Sequence, residues 1–279
     1  MRREIVDTRQ ILPDDTFRIS RPIAGDGLEQ SIKRLGMLET PVLLASEKGL
    51  VPFTCHNRIK ILKGTGDTEL SALIIDSPDY GIFSAYAALK TGRGELGPAG
   101  KARAFLIARD IFKNSETSLF CKNIISAQPG HFENGLAGRL LALPPVLVDY
   151  LDSRDIGFRV IRDLVELPGC MIESLAGWTG IMQVRVNVFR MLVEYLFDLA
   201  KKGTGLSLPV YTVDDRPDHK KLLESVYRIR FPRYSSLKDE ADGIVSGMVL
   251  PGLSVDYPEF FERDSLTLKL EIKSADTPG

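Results

Sequence analysis

The chain has few of the residues that build metal sites or disulfide frameworks. Its 279 residues include three cysteines and three histidines, which are scattered, and no Cys-x-x-Cys pair. Structural zinc sites need such ligands at short spacings. We therefore expect no structural metal, and this cysteine usage is typical of a reducing cytoplasm.

The chain also lacks an excess of one charge, and it has no long apolar run. The net charge is −1 with 26% charged residues, so broad nonspecific coating of nucleic acid is not expected, although a local basic face could bind it. No apolar run approaches membrane-spanning length, and the initial Met1-Arg-Arg-Glu sequence lacks the apolar core of a signal peptide. We expect a cytoplasmic protein without a membrane partner.

The most informative stretch lies between residues 50 and 66. Residues 50–53 favour a short buried strand, and residues 59–62 have the apolar pattern of a helix that ends at the glycines that follow. The junction is a helix N-terminus with unpaired N–H groups and partial positive charge, which suits a phosphate or another anion. The candidate phosphate-binding residues are Thr54, Cys55, His56, Asn57 and Arg58. The same pattern also fits a helix cap followed by a solvated arginine.

Residues upstream of the junction add a second pattern. A helix of the form Leu28-x-x-Ser31-Ile32-x-x-x-Gly36 precedes a strand that begins at Pro41-Val42. With residues 55–58 this order resembles the N-terminal domain of the ParB family of chromosome and plasmid partition proteins, whose second strand ends in Gly-Glu-Arg-Arg. The resemblance covers about residues 5–76 and continues more loosely to about 200.

The resemblance implies a possible nucleoside triphosphate, CTP, bound with magnesium. In this chain His56 stands at the family's first glutamate, and residues 90–94 lack the glutamate and asparagine of its second motif, Glu-Asn-x-x-Arg. Magnesium binding and triphosphate hydrolysis use such carboxylate and amide oxygens. We therefore predict no catalytic residue and no metal ligand, and retain Arg93 as a phosphate-binding candidate. A solvated arginine in a glycine-rich loop is its alternative.

A related fold offers a different chemistry at the same junction. Sulfiredoxin has Gly-Cys-His-Arg there, which looks similar to Cys55-His56. Alignment on Arg58, however, puts the sulfiredoxin cysteine at His56, one position late. A catalytic cysteine is therefore not predicted, although a helix N-terminus would lower the pKa of Cys55.

Residues 98–203 are predicted to be helical, with segments at about 98–113, 117–126, 132–142, 145–153, 157–167, 170–178 and 183–202. Short helices at tight turns suit a helix-turn-helix, which the ParB family carries in its helical domain. Arg154, Arg159 and Arg162 are the candidate DNA contacts. Residues 117–202 hold nine basic and nine acidic residues, so a neutral helical scaffold is the alternative.

The last 76 positions, 204–279, differ in charge and pattern. Residues 216–238 hold seven basic residues against two acids, and aromatic residues alternate with the further DNA-binding candidates Arg228, Arg230 and Arg233. A helix with its aromatics packed inward is the alternative. A strand is predicted at 265–273 with an antiparallel partner at 253–257, and a short strand at 209–213. ParB-type proteins commonly dimerise through a C-terminal element, so the resemblance makes this hairpin a candidate homodimer element.

The sequence as a whole predicts an α+β protein. Its expected domains are a ParB/sulfiredoxin-like N-terminal α/β domain (1–97), a helical, helix-turn-helix-like domain (98–203) and a C-terminal element of basic helices with a β-hairpin (204–279). The predicted function is DNA binding in partition or transcriptional regulation. The alternatives are a nucleotide-dependent enzyme of the same fold (an NTP hydrolase, kinase or nuclease) and a degenerate protein-interaction module.

Overall fold

Alternating apolar residues in the first 75 positions build a four-stranded sheet. The computed structural model describes residues 1–21, 26–66, 68–113, 115–203, 208–212, 218–247, 253–256 and 267–270. Contacts divide the chain into two units, Met1–Ile181 and Met182–Gly279. The predicted three-domain division stays a prediction.

In the first unit the strands are β1 (Arg2–Asp7), β2 (Val42–Ser46), β3 (Gly49–Pro52) and β4 (Glu69–Ile75), with helices α1 (Asp26–Leu35) and α2 (His56–Thr65). The sheet order is β1-β4-β2-β3. Strand β2 runs parallel to β4, with Val42 opposite Leu73, and the other pairs are antiparallel. Because α2 follows β3 directly, its N-terminus lies where the β2–β3 hairpin ends.

The strands and helices of this part share one apolar core. Ile32 of α1 and Ile59 of α2 pack with Leu43, Leu70 and Ile74 of the sheet, all at most 5% exposed. Apolar burial of this kind contributes about 25 cal/mol per Å². The core fixes α2 against the sheet and so fixes the position of its first turn.

The rest of the first unit is helical. It contains α3 (Tyr80–Gly92), α4 (Pro98–Leu106), α5 (Thr117–Leu119), α6 (Leu136–Leu141), α7 (Pro145–Ser153), α8 (Phe158–Val165) and α9 (Gly169–Ile181). Helices α4 and α5 continue as π-helical turns at Ile107–Ile111 and Phe120–Ile124, and Pro129–Gly135 is a 3-10 segment. The predicted helix over 98–113 is therefore α-helical only in its first part.

Aromatic rings join the sheet to these helices. Phe53, which follows β3, lies 4.5 Å from Phe17 and 6.5 Å from Phe112 between ring centroids. Phe83 of α3 lies 5.2 Å from Phe112, and both Phe53 and Phe83 are fully buried. This cluster holds α3 beside the start of α2.

A close backbone approach brings α7 to the start of α4. The Asp152 carboxylate of α7 accepts the Ala99 N–H at 2.7 Å and so caps α4. A Cβ atom on Gly97 would lie 2.7 Å from the Asp152 Cα, closer than such atoms can approach. Glycine is therefore required at this position, and the loop that contains it is held against α7.

The second unit contains α10 (Val186–Lys202), α11 (His219–Arg230), α12 (Pro232–Gly247), β5 (Leu253–Asp256) and β6 (Thr267–Leu270). The predicted hairpin is confirmed in its described part, since β5 and β6 pair antiparallel with Leu253 opposite Leu270; residues 257, 265–266 and 271–273 lie outside the described residues. The predicted strand at 209–213 is wrong for residues 209–212, which form no strand. Pro209 has no N–H to donate to a sheet. Val213 lies outside the described residues.

Candidate anion-binding site

The first turn of α2 lines a cleft of about 540 Å³ in the first unit. The cleft wall combines segments that are far apart in sequence: Ser20, Arg21, Leu28, Glu39, Cys55, His56, Asn57, Arg58, Tyr86, Lys90, Gly94, Glu95, Gly97, Gly100, Asp152 and Ser153. Four of the five predicted junction residues are among them. The aromatic cluster places α3 on one side of the cleft, and the Gly97–Asp152 approach places α7 on another.

Helix α2 starts without a side-chain cap. Cys55 is the N-cap residue, its side chain makes no capping hydrogen bond, and the first turn holds no acidic residue. The Ile59 N–H donates to the Cys55 carbonyl at 3.0 Å, which is the first bond of the helix. The N–H groups of residues 56–58 come before that bond and have no intrahelical partner. An anion in the cleft would satisfy them and the helix dipole together.

The backbone at Cys55 has an uncommon conformation. Its φ of 59° and ψ of 26° lie in the left-handed region, which glycine adopts at little cost and other residues rarely adopt. Its N–H donates to the Tyr86 hydroxyl at 3.4 Å. The junction therefore bends sharply into the helix and is tied to α3.

Cations from two parts of the chain converge on one carboxylate in the cleft. Arg58 contacts the Glu39 carboxylate at 2.7 Å, and Arg93 contacts its other oxygen. Lys90, which is 8% exposed, pairs with Glu95 beside them and lies 5.6 Å from the Tyr86 ring centroid. The two predicted arginines, Arg58 and Arg93, are thus brought together, although they are far apart in sequence.

The electrostatics of Glu39 follow from this arrangement. Partial burial favours a higher pKa, but Arg93, Arg58 and Lys90 together outweigh it, so the pKa of Glu39 is lowered. The carboxylate is ionised at neutral pH and partly neutralises the cations around it. It is the negative charge that already faces the cation pair.

Cys55 does not have the properties of a catalytic nucleophile. Burial raises the pKa of its thiol, and this outweighs the nearby positive charges. The expectation that the helix N-terminus would lower this pKa is therefore wrong, because the side chain is 8% exposed and packs in the core. The thiol is neutral at pH 7 and lies 3.8 Å from the Glu39 carboxylate.

His56 is buried beside the cleft. Its side chain is enclosed, and burial lowers the pKa of His56 to about 4. The charged groups around it are Asp14, Asp15 and Arg18, whose effects are smaller. A neutral imidazole adds no positive charge to the cleft, so the backbone N–H is the group that His56 offers to an anion.

The other two junction residues use their side chains within the fold. The buried Thr54 hydroxyl accepts the Val42 N–H at 2.9 Å, which ties the junction to β2. The Asn57 side chain accepts a bond from Arg18 at 2.8 Å and donates to the Arg21 carbonyl at 2.8 Å. These contacts fix the segment before α1 as a wall of the cleft.

The cleft does not fit a magnesium ion. Within the described residues no group of three histidine, cysteine, aspartate or glutamate side chains is placed to hold a metal ion. Glu39 and Glu95 are ion-paired with basic side chains, and the Asp152 carboxylate caps α4. The cleft is better suited to phosphate oxygens than to a hard cation.

The candidate DNA-binding arginines of the helical region are exposed. Arg154 follows α7, and Arg159 and Arg162 lie on α8. None of them has an ion-pair partner within the part of the chain that the structure describes. We call these three residues the free arginines. Helices α7 and α8 are joined by a short turn, but a helix-turn-helix stays a prediction.

The candidates in α11 are differently placed. Arg228 pairs with Glu224 and Asp239 at the surface. Arg230 pairs with Asp198 and lies over the Tyr195 and Phe231 rings, with its guanidinium carbon 4.5 and 4.6 Å from their centroids.

Arg233, in α12, is exposed. The Tyr227 ring centroid lies 4.8 Å from that of Phe231 and 5.8 Å from that of Tyr234, so the aromatic rings pack against each other. A DNA role for the arginines stays a prediction.

Several residues of the cleft were not assigned a role from the sequence. Tyr86 and Asp152 have no local motif that marks them, because helix packing alone brings them to the cleft. Lys90 begins the stretch aligned with the second ParB motif, but that alignment assigns no role to its side chain. Glu39 had a weak signal, since it is an acid close in sequence to the junction. Its contact with Arg93 spans 54 positions, a distance that a single sequence does not indicate.

Solved structures to which this chain is similar include two of C-terminally truncated chromosome-partitioning protein ParB from Caulobacter crescentus. The structure complexed to the centromeric parS site is 14% identical, covers 71% of this chain and 99% of its own, and has a TM-score of 0.35. The structure complexed with CTP-gamma-S is 15% identical, covers 62% of this chain and 98% of its own, and has a TM-score of 0.30. Neither similarity is close enough to assign a function.

Two other comparisons give no relative, since no protein-family model and no curated protein matches the chain. In the described part of the chain, no helix has the length and apolar character needed to span a membrane.

Proposed function

We propose that this chain is a ParB-like DNA-binding protein that takes the phosphates of a nucleoside triphosphate at the start of α2. The observation that carries the nucleotide site is the uncapped first turn of α2 in a cleft lined by Arg58 and Lys90, with Arg93 paired to Glu39 on its wall. Backbone N–H groups and guanidinium groups are the donors that phosphate oxygens prefer. The cleft volume of about 540 Å³ is in the range of small-molecule sites.

The residues support binding rather than hydrolysis. A hydrolase of this kind uses carboxylates or amides to hold magnesium and to position water. The cleft carboxylates are taken up by ion pairs and a helix cap, and the buried His56 is neutral. We therefore propose a nucleotide-binding protein in which the ligand acts as a signal and turnover is not required.

The test of the nucleotide site is calorimetric titration with CTP, ATP and GTP in the presence of magnesium. We expect one nucleotide to bind and Arg58→Ala to weaken it by about tenfold to a hundredfold, the value of a lost charged hydrogen bond. Arg228→Ala is the matched control, because it removes an exposed arginine outside the cleft. Equal affinity of Arg58→Ala and the wild type would exclude the site, as would no binding of any nucleotide.

The free arginines support the DNA part of the proposal. Exposed guanidinium groups without carboxylate partners are available to DNA phosphates, and each phosphate contact adds to the salt dependence of binding. We expect replacement of all three by alanine to reduce the slope of log affinity against log salt by about 2 to 3. Fluorescence anisotropy with duplex DNA at several salt concentrations measures this slope.

A matched control removes the same charge from a different surface. Arg2, Arg3 and Arg9 lie in or next to β1 and contact carboxylate or hydroxyl groups there. Their replacement by alanine is expected to leave the slope unchanged. Equal slopes for the two triple variants would show that the free arginines make no specific contribution.

A further inference from the structure

The Glu39 carboxylate is paired with two arginines at the wall of the cleft. Its two carboxylate oxygens face different arginines, Arg58 on α2 and Arg93 after α3. Its side chain is 25% exposed, as is that of Arg58. Glu39 is thus a wall residue of the cleft with access to solvent, and one movement of its carboxylate would release both arginines.

The segment that carries Glu39 lies at the surface. Residues 36–41 connect α1 to β2, and Leu38, next to Glu39, is 71% exposed. Gly36 begins this segment with a φ of 68°, which ends α1. An outward turn of the Glu39 side chain does not require the sheet or α2 to rearrange.

We propose that Glu39 is an internal competitor that holds Arg58 and Arg93 and that a phosphate-bearing ligand must displace. The inference rests on the proposed phosphate site and adds to it a residue that sets the apparent affinity for anions. A polyphosphate offers several negative charges to the same cations, so it competes with Glu39 more effectively than orthophosphate does. Glu39 therefore raises the concentration at which every phosphate ligand binds, and a polyphosphate is the ligand that still binds at low concentration.

The consequence for affinity follows from competition. If most molecules have the arginines paired with Glu39, the apparent affinity for a ligand is reduced by the fraction that has them free. Replacement of Glu39 by glutamine removes the charge, keeps the shape of the side chain and leaves one acceptor oxygen in place of two. We expect Glu39→Gln to bind inorganic tripolyphosphate about tenfold tighter than the wild type. We expect a gain of the same factor for orthophosphate, since Glu39 competes equally with every ligand that needs both arginines.

The experiment is calorimetric titration of the full chain with inorganic tripolyphosphate and, separately, orthophosphate. The matched control is Glu29→Gln, which removes the same charge at an exposed Glu29–Lys33 pair on α1 and should leave both affinities at the wild-type value. The double variant Glu39→Gln, Arg58→Ala should lose the gain. If Glu39→Gln does not fold by circular dichroism, Glu39→Asp, whose shorter side chain draws the carboxylate back, is expected to show a smaller gain.

The outcomes separate this inference from the proposed function. Tighter binding by Glu39→Gln than by the wild type, with no change in Glu29→Gln, supports it. A gain over a wild type that binds neither ligand would make Glu39 a permanent block of the arginines, and then the inference and the proposed function both fall. Wild-type binding that Glu39→Gln leaves unchanged or weakens overturns the inference alone, since Glu39 would then serve to orient the arginines. No binding by any folded variant overturns both.

Discussion

Arginines pair with carboxylates in two regions of this chain. The regions differ in whether the guanidinium N–H groups remain accessible to a ligand. At the start of α2, Arg58 and Arg93 share Glu39 on the wall of a cleft. In the second unit, Arg230 is packed over aromatic rings and paired with Asp198, with 15% of its side chain exposed. The cleft arginines therefore have N–H donors that a ligand can reach. The Arg230 guanidinium instead stabilises the packing of α11 on α10.

The comparison shows why a local excess of basic residues is a weak indicator of an anion site. Residues 216–238 carry seven basic residues against two acids, but Arg228 and Arg230 pair with Asp239 and Asp198, which lie outside that range. The cleft has no basic run, and its cations come from two parts of the chain, at Arg58 and at Lys90 and Arg93. Two features distinguish the cleft: its basic side chains converge around a cavity, and helix α2 begins there without a side-chain cap.

The largest expected effect concerns the buried histidine at the cleft. The native state holds His56 with a pKa of about 4 against 6.5 in a model peptide. As pH falls from about 6.5 to about 4, the unfolded state takes up a proton and the native state does not, so stability is lost over that window. We expect the wild type to lose about 3 kcal/mol more than His56→Gln between pH 7 and pH 4.

Urea denaturation at several pH values measures this difference. Equal pH dependence in the two proteins would contradict the buried, neutral state of His56. It would also remove the physical reason for assigning the positive charge of the cleft to the arginines and Lys90.

The next effect tests the structural role of Arg230. Its removal leaves Asp198 without its partner and opens the contact with the Tyr195 ring, so we expect Arg230→Ala to lower the free energy of unfolding by about 2 kcal/mol. Arg228→Ala, which breaks a surface pair, is expected to change it little. Chemical denaturation measures both, and duplex DNA binding is measured in parallel. Unchanged stability with weakened DNA binding would make Arg230 a DNA ligand instead.

The smallest effect tests the close contact between Gly97 and Asp152, which positions α7 at the cleft. A methyl group on Gly97 would meet the Asp152 backbone at 2.7 Å, so we expect Gly97→Ala to cost about 1 to 2 kcal/mol. Gly177→Ala, in the middle of α9 with open space around it, should stabilise by about 0.5 to 1 kcal/mol. Thermal denaturation of the pair is the measurement. A neutral Gly97→Ala would show that α4 and α7 are not in close contact there.

Much of the fold was predictable from local patterns. The order of strands and helices in residues 2–75 follows from apolar periodicity and glycine positions, and the strict alternation of 265–273 predicted the β5–β6 hairpin. The strand at 209–213 was a wrong prediction, because a short apolar stretch with a proline has too little pattern to distinguish a strand from an extended segment.

The candidate site was predictable only in part. The α2 junction follows from the strand-to-helix pattern, since every helix N-terminus has unpaired N–H groups. The raised pKa of Cys55 and the lowered pKa of His56 depend on burial by segments that are distant in sequence. The same holds for the Glu39–Arg93 contact across 54 positions. Such features result from tertiary packing, and the apolar periodicity of the sequence does not predict them.

Amide hydrogen exchange with and without saturating CTP tests the central claim most directly. The account predicts slower exchange at the N–H groups of residues 56–58, which would donate to the phosphates, and no change in residues 219–230 of α11. Protection confined to α11, or none at residues 56–58 under conditions where calorimetry detects binding, would contradict it and place the ligand elsewhere.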